Sequence, residues 1–280
     1  MSVSACLSYR YLYEDVCVDA NMFAEMSFAL GALLIVIAFF AGIGCTTLGP
    51  GGIFTTLALY TLTAVPSSTV AGTAHFTFIG VGLLGSLSYL QSGELKIKGN
   101  ARIAAVLSLS SIVGALAGAA VNTYVSRELF GLLLGGFAAG TGLLIIHRER
   151  SERLPQFDVN YTSVRGTTFV SFIGLVLGCL SGLLGVGGPV IAVPMLIVLG
   201  ISILSALAVA QVQSIFIATF ATAGYAINGA VSIPLALLVG IPQLVGAFLG
   251  WRIAHYVDPD RLKVALGVTM IAVGPYLAFQ

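Results

Sequence analysis

The chain has 280 residues, of which 58% are apolar and 8% charged, against roughly 25% charged in an ordinary soluble domain. A mean hydropathy of +1.04 and apolar runs of about 20 residues between short polar stretches exclude a soluble enzyme, a disordered hub and a collagen-like rod. The net charge of +1 and the lack of a basic stripe exclude a nucleic-acid partner, leaving an all-α polytopic chain whose main solvent is the lipid bilayer.

Residues 1–26 form a polar stretch with Glu14, Asp15, Asp19 and Glu25. It lacks the basic start and early apolar core of a cleavable signal, so it is expected to persist as an extramembrane tail. Cys6 and Cys17 lie within it, and a disulfide between them is open if that end faces an oxidising space. The other two of the four cysteines are Cys45 and Cys179. The set has neither the density of a disulfide scaffold nor the paired spacing of a zinc site, and no cofactor is expected.

Apolar segments follow near 27–48, 52–66, 68–91, 102–121 and 128–147. After a linker at 148–166 come others near 167–184, 189–201, 203–228, 233–251 and 260–279. The first set makes one transmembrane repeat, 27–147, and the second another, 167–280. Segments 52–66 and 189–201 fall short of the roughly 20 residues that cross a bilayer. Each follows a glycine cluster and reads as a half-helix or a steep broken one.

Positively charged loops face the cytoplasm. The linker holds Arg148, Arg150, Arg153 and Arg165, so it is placed on the cytoplasmic side of the cell membrane, as is the loop with Lys96, Lys98 and Arg102. In the second half the basic loop is the later one, with Arg252, Arg261 and Lys263, while the turn at Asn228 and Gly229 is uncharged. Odd numbers of crossings per half bring all these basic residues to one side, which makes the two halves inverted relative to each other.

The halves also match in sequence, as an inverted-repeat membrane protein requires. A shift of 136 residues superposes Gly42 on Gly178, Gly49 on Gly185, Gly51 on Gly187, Gly52 on Gly188 and Tyr89 on Tyr225. Beyond the loop at Lys96 and Lys98 the shift becomes 132, superposing Gly114 on Gly246, Gly118 on Gly250 and Tyr124 on Tyr256. A length change confined to a loop is what a duplication leaves.

The central features are Gly49-Pro50-Gly51-Gly52 and Gly185-Val186-Gly187-Gly188-Pro189, at equivalent places. Glycine permits an unwound turn, and Pro189 suits the first position of a restarting helix. Non-helical backbone at membrane depth is tolerated where it is buried or lines a cavity. A restarting helix presents unpaired N–H groups and a partial positive charge, which favours an anion. Two such ends related by a pseudo-two-fold axis would hold one anion without any Arg or Lys. The competing reading is that the glycines only permit close packing.

Neutral polar residues surround the breaks: Thr46, Thr47, Thr55, Thr56 and Ser181, then Thr73, His75 and Thr77, then Gln211, Gln213 and Ser214. His75 is equivalent to Gln211, and Thr77 to Gln213. Polar groups within a span face a cavity or a neighbouring helix, although Ser and Thr often bond their own backbone. Two residues apart, Gln211 and Gln213 point about 200° apart on a helix, so one centre takes only one of them. His75 is the ionisable side chain placed deepest in a span. It is either a proton-coupling group or a neutral histidine bonded between helices. His147, His255 and Trp251 fall at segment ends and read as interfacial.

The run from Gly185 to Leu196, Gly-Val-Gly-Gly-Pro-Val-Ile-Ala-Val-Pro-Met-Leu, resembles the signature of the TauE/SafE sulfite exporter family, also called the toluenesulfonate uptake permease family. The likeness extends over roughly residues 27–280. The first glycine motif departs from it, with Ala58 where the second has Pro194. The resemblance implies a secondary transporter for small sulfur-containing anions such as sulfite, sulfoacetate, thiosulfate or organosulfonates. It agrees with substrate-binding candidates Gly51, Gly52, Thr47, Thr55, His75, Thr77, Gly187, Gly188, Pro189, Gln211, Gln213 and Ser214. The chain has no nucleotide-binding motif, which points to coupling by a proton or cation, or to passive exchange. The rival is a transmembrane thiol-redox protein using Cys45 and Cys179. Prolines flank the paired cysteines of such proteins and are absent here, and lone buried cysteines usually pack as small apolar residues.

Overall fold

In the computed structural model the described residues are 27–97, 99–150 and 163–256. They form α-helices joined by short turns: α1 Phe28–Thr47, α2 Ile53–Leu62, α3 Ser67–Ser92, α4 Asn100–Asn122, α5 Arg127–Arg150, α6 Val164–Leu184, α7 Pro189–Val198, α8 Ile203–Ile227 and α9 Ile233–Ala254. No strand occurs among them. An apolar solvent leaves a chain little else, because each helix satisfies its own backbone. Six helices, α1, α3, α4, α6, α8 and α9, are long and apolar enough to cross a membrane. Their bounds fall within a few residues of those expected, and α2 and α7, each 10 residues long, are the expected short pieces. The segment expected near 260–279, the tail 1–26 with Cys6 and Cys17, and most of the linker 148–166 lie outside the described residues.

The shift of 136 reappears in the boundaries. α1 starts after Ser27 and α6 after Ser163, each Ser hydroxyl accepting a backbone N–H three residues on, at 3.3 and 3.0 Å. The same shift takes the start of α2 to that of α7, the end of α2 to that of α7, and the start of α3 to that of α8.

Glycines set the packing. Gly246 of α9 lies against the backbone of Phe39 and Ile43 of α1, and Gly250 against that of Ile43. In the other half Gly114 of α4 lies against Leu175 and Cys179 of α6, and Gly118 against Cys179 and Leu183. Under the shifts of 136 and 132 the contacts of Gly114 match those of Gly246, and the Gly118–Cys179 contact matches Gly250–Ile43. Without a Cβ the helix backbones touch, which is how helices associate where no hydrophobic effect separates protein from lipid.

The order of these contacts makes α1 parallel to α9 and α4 parallel to α6. Thr77 and Gly80 of α3 meet Gly240 and Leu244 of α9 in ascending order, whereas Gly72 and Gly85 meet Tyr225 and Gln211 of α8 in descending order. So α1, α3 and α9 run one way. α6 and α4 run the other way together with α8, since Ser111 and Ala119 of α4 meet Gln213 and Gly224 of α8 in ascending order. At one end Glu94, just past α3, bonds His255, just past α9. At the opposite end Arg127 opens α5 and donates to the carbonyls of Tyr60, Val65 and Thr63, the last at 2.7 Å, closing the C-terminus of α2. Its guanidinium also lies 4.5 Å from the Tyr60 ring.

A Cβ at Gly246 would collide with the Phe39 carbonyl, whereas one at Gly136 meets nothing within 4 Å. Gly246→Ala is therefore expected to destabilise by about 1–3 kcal/mol, and Gly136→Ala to leave stability unchanged or raised. Thermal melting of both variants in detergent checks this, and equal melting temperatures would contradict the close-packed pairing.

Candidate functional site

The two breaks are turns that only glycine makes easily. At the first, Gly49 has φ of 99° and a single 3-10 turn, Pro50–Gly52, leads into α2. At the second, Gly185 and Gly187 have φ of 66° and 75°, and Pro189 opens α7. Both conformations are strained for any residue with a Cβ.

The breaks lie against each other. A Cβ at Gly52 would sit 3.3 Å from the Val186 carbonyl oxygen, and one at Gly49 would sit 3.0 Å from that of Pro189. The Thr56 hydroxyl donates to the Gly185 carbonyl. α2 leads from its break toward Arg127, so the α1–α2 and α6–α7 hairpins meet at their tips, deep in the protein.

A helix that stops inside an apolar core leaves its last carbonyls without partners. Here side chains supply them, in two matched sets. Tyr89 Oη donates to the Thr46 carbonyl at 2.6 Å, and Tyr225 Oη to the Gly182 carbonyl at 2.7 Å. Gln211 Nε2 donates to the Cys45 carbonyl at 3.0 Å, and His75 Nε2 contacts the Ser181 carbonyl, also at 3.0 Å. Because a carbonyl only accepts, His75 carries its proton on Nε2. Its ring stacks on Tyr225 and meets Phe78 edge to face, with centroids 6.3 and 6.2 Å away. Of the two sequence readings of His75, the interhelical bond is present.

The restarting ends differ. Gly52 and Gly188 occupy the N-cap positions of α2 and α7, and neither has a side-chain cap. Thr55, in the first turn of α2, keeps a buried hydroxyl with no hydrogen-bond partner, as do Ser181 Oγ, His75 Nδ1 and the amide oxygens of Gln211 and Gln213. The carbonyl ends are thus tied off by side chains, whereas neither N–H end has a side-chain cap; at the first break the Ile53 N–H is taken by the Pro50 carbonyl of the 3-10 turn.

The remaining candidates divide. Thr47 bonds the carbonyls of Ile43 and Gly250, the latter at 3.3 Å, and Thr46 bonds Ala247 at 2.7 Å, so both act in helix pairing. Thr77 bonds its own helix at Ala74, 2.8 Å away. Gln213 Nε2 donates to Ser111 Oγ at 2.7 Å, so the two amides serve different partners, as their angular separation requires. Ser214 backs onto Gly188, where a Cβ would meet its Cα at 3.1 Å. Cys45 and Cys179 are free thiols.

Two residues were not singled out from the sequence. Phe78 is buried, and its ring lies against both breaks, 3.0 Å from a Cβ at Gly52 and 3.4 Å from one at Gly187. It fills the space between the two restarting ends. Gln243 on α9 is fully buried with neither amide atom partnered. The shift of 132 pairs it with Ser111, a polar match within apolar spans that would have flagged it.

A separate cavity of about 370 Å³ lies at the other end of α6 from its break, lined by Arg102, Val164, Thr167, Thr168 and Ser171. It joins none of the candidate residues.

Three relatives match the chain in sequence over most of their length. The chain is 26% identical over 254 residues to the "Probable membrane transporter protein YdhB" of Bacillus subtilis strain 168, covering 88% of this chain and all of that protein. It is 24% identical over 265 residues to the "Probable membrane transporter protein MJ0441" of Methanocaldococcus jannaschii, covering 88% and 94%. It is 28% identical over 259 residues to the "Probable membrane transporter protein ORF9" of Sinorhizobium sp, covering 89% and 92%. No solved structure matches the chain. The model of the sulfite exporter TauE/SafE family matches residues 30–277, across both breaks and all six long helices, and the chain is a multi-pass membrane transporter belonging to that family.

Proposed function

We propose that the chain is a secondary transporter for small sulfur-containing anions, such as sulfite, sulfoacetate, thiosulfate or organosulfonates, bound where the two breaks meet. One observation carries the reading. The carbonyl ends at the breaks are bonded by Tyr89, Tyr225, Gln211 and His75, whereas the N–H ends of α2 and α7 have no side-chain cap. That asymmetry leaves a positive field and donors for an anion, and sulfonate oxygens are good acceptors for them. The site holds no fixed Arg or Lys, which suits a solute that must leave as readily as it arrives.

The antiparallel sense of α1 and α6, of α3 and α8, and of α4 and α9 supports an inverted pair of repeats. Alternating access then becomes a rocking of one repeat against the other around the breaks. The gathering of Lys96, Arg102, Arg165 and Arg252 toward the Glu94–His255 end supports placing that end, with the linker 148–166, in the cytoplasm. Phe78 serves as the plug: its ring must move before an anion reaches Gly52 and Gly187.

Purified protein is expected to bind at least one of labelled sulfite, sulfoacetate and thiosulfate. Gln211→Leu, which frees the Cys45 carbonyl, and Gly188→Val, which crowds Ser214, are expected to weaken binding by about tenfold or more. If none of the three anions binds, the substrate class is wrong.

Phe78→Trp is expected to block binding and Phe78→Ala to speed exchange in vesicles, at a stability cost of about 3–5 kcal/mol. Phe78→Leu provides the milder comparison. Slower exchange in both smaller variants would show that the ring positions the site rather than closing it.

Asn228→Cys in a background with all native cysteines replaced by serine should label with an impermeant maleimide from outside the cell only. Labelling from the cytoplasm would defeat the inverted arrangement. Transport by that background protein would dispose of the thiol-redox alternative.

A further inference from the structure

The end of the molecule where α3 and α9 finish holds an arrangement that the anion site does not use. His255 Nδ1 lies 2.8 Å from the Trp251 carbonyl oxygen and His255 Nε2 lies 3.1 Å from Glu94 Oε1. Both ring nitrogens therefore face acceptors. A neutral imidazole has one N–H, so with an ionised Glu94 one of the two contacts would set lone pair against lone pair. The geometry is satisfied only when the pair holds one further proton, either on the ring opposite a carboxylate or on Glu94 opposite the ring. Glu94 is nearly buried and held in place: Ser92 Oγ lies 2.5 Å from its Oε2, and Asn100 Nδ2 donates to its backbone carbonyl at 2.8 Å.

We propose that Glu94 and His255 form a proton-binding site that couples anion transport to the proton gradient, a proposal that rests on the transporter reading above. Proton binding closes the bond between the ends of α3 and α9, and proton loss opens it. The pair connects to the breaks through one side chain: Tyr89 lies with its ring 6.0 Å from that of His255 and donates from its hydroxyl to the Thr46 carbonyl at the end of α1. The other titratable or charged groups on the surrounding elements are Tyr89 and, nearer the second break, His75 on α3, Cys45 on α1, Lys96 on the turn with Glu94, Arg102 on α4, Tyr225 on α8, and Arg252 and Tyr256 beside His255. Arg252 is turned onto the Phe248 ring, 4.9 Å away. Among the described residues, Glu94 with His255 is the ion pair found.

Two readouts test the site. Trp251 is the single tryptophan of the chain, and its ring lies 5.5 Å from that of His255. A protonated imidazole in contact with an indole quenches its fluorescence. Wild-type emission in detergent is therefore expected to rise as raising the pH takes the proton from the pair, and His255→Gln is expected to lose the change. Identical pH profiles for the two proteins would overturn the proposal.

The second readout is labelled thiosulfate flux in vesicles, since thiosulfate keeps its charge near neutral pH. An imposed pH gradient is expected to change wild-type flux severalfold relative to flux without a gradient. In Glu94→Gln and His255→Gln that ratio is expected to fall to about one, because neither variant keeps the carboxylate–imidazole pair whose closure the shared proton controls. Variants that respond to the gradient as the wild type does would overturn the proposal. If the wild type moves no thiosulfate, it is the substrate reading that fails for that anion, and the emission profile alone decides the proton site.

Discussion

The structure depends on how a helix can be made to end inside hydrocarbon. α1 and α6 stop deep in the protein, and each leaves carbonyl oxygens that water would otherwise satisfy. An unpaired buried polar group costs roughly 1–3 kcal/mol, so several at each break would be prohibitive in a medium with no competing donor. Tyr89 and Gln211 at one break, and Tyr225 and His75 at the other, supply the missing donors. All four sit on α3 and α8, the central antiparallel pair. The breaks therefore exist because α3 and α8 hold them, and any movement of those helices is transmitted to the breaks.

That dependence explains the rest of the packing. The tyrosines and the Gln/His pair reach their carbonyls only if α1 and α6 lie against the central helices at a fixed depth. The glycine contacts of α1 with α9 and of α4 with α6 set that depth, with the backbone of one helix touching that of the next. Gly85, whose missing Cβ leaves room for the Gln211 side chain, does the same service within the central pair.

Much of this was legible in the sequence because membrane proteins write their architecture in long runs. The spans, the short α2 and α7, and the shift of 136 followed from hydropathy and glycine placement, and the structure repeats the shift in helix boundaries and hydrogen bonds alike. The paired tyrosines were visible as matches, but nothing in a tyrosine's position says that its hydroxyl caps a carbonyl 43 residues away in each half. Phe78 was invisible for a different reason: one aromatic among many apolar residues carries no signal until the ring is seen between Gly52 and Gly187. Thr47 is ambiguous in the sequence because a hydroxyl beside a break reads the same whether or not it also bonds carbonyls, as it does those of Ile43 and Gly250. His255 looked interfacial, and its partner Glu94 lies too far along the chain for spacing to connect them.

If the halves are inverted repeats, as proposed, two matched halves would by themselves make a transporter with no preferred side, and direction would come from the places where the match fails. Phe78 answers to Ser214, and His75 to Gln211, so the two tips do not present the same surface to a solute. The ends differ more sharply. At one, Arg127 binds the carbonyls that close α2 with a charge that no physiological pH removes. At the other, α3 and α9 are joined by Glu94 and His255, whose contact depends on a bound proton. Under the shifts that align the halves, Glu94 answers to Ala230 and His255 to Thr123, neither of which can hold a proton. On the proposed reading one end is fastened at all times and the other only when protonated, which is the asymmetry an inverted pair would need for a proton gradient to drive an anion one way.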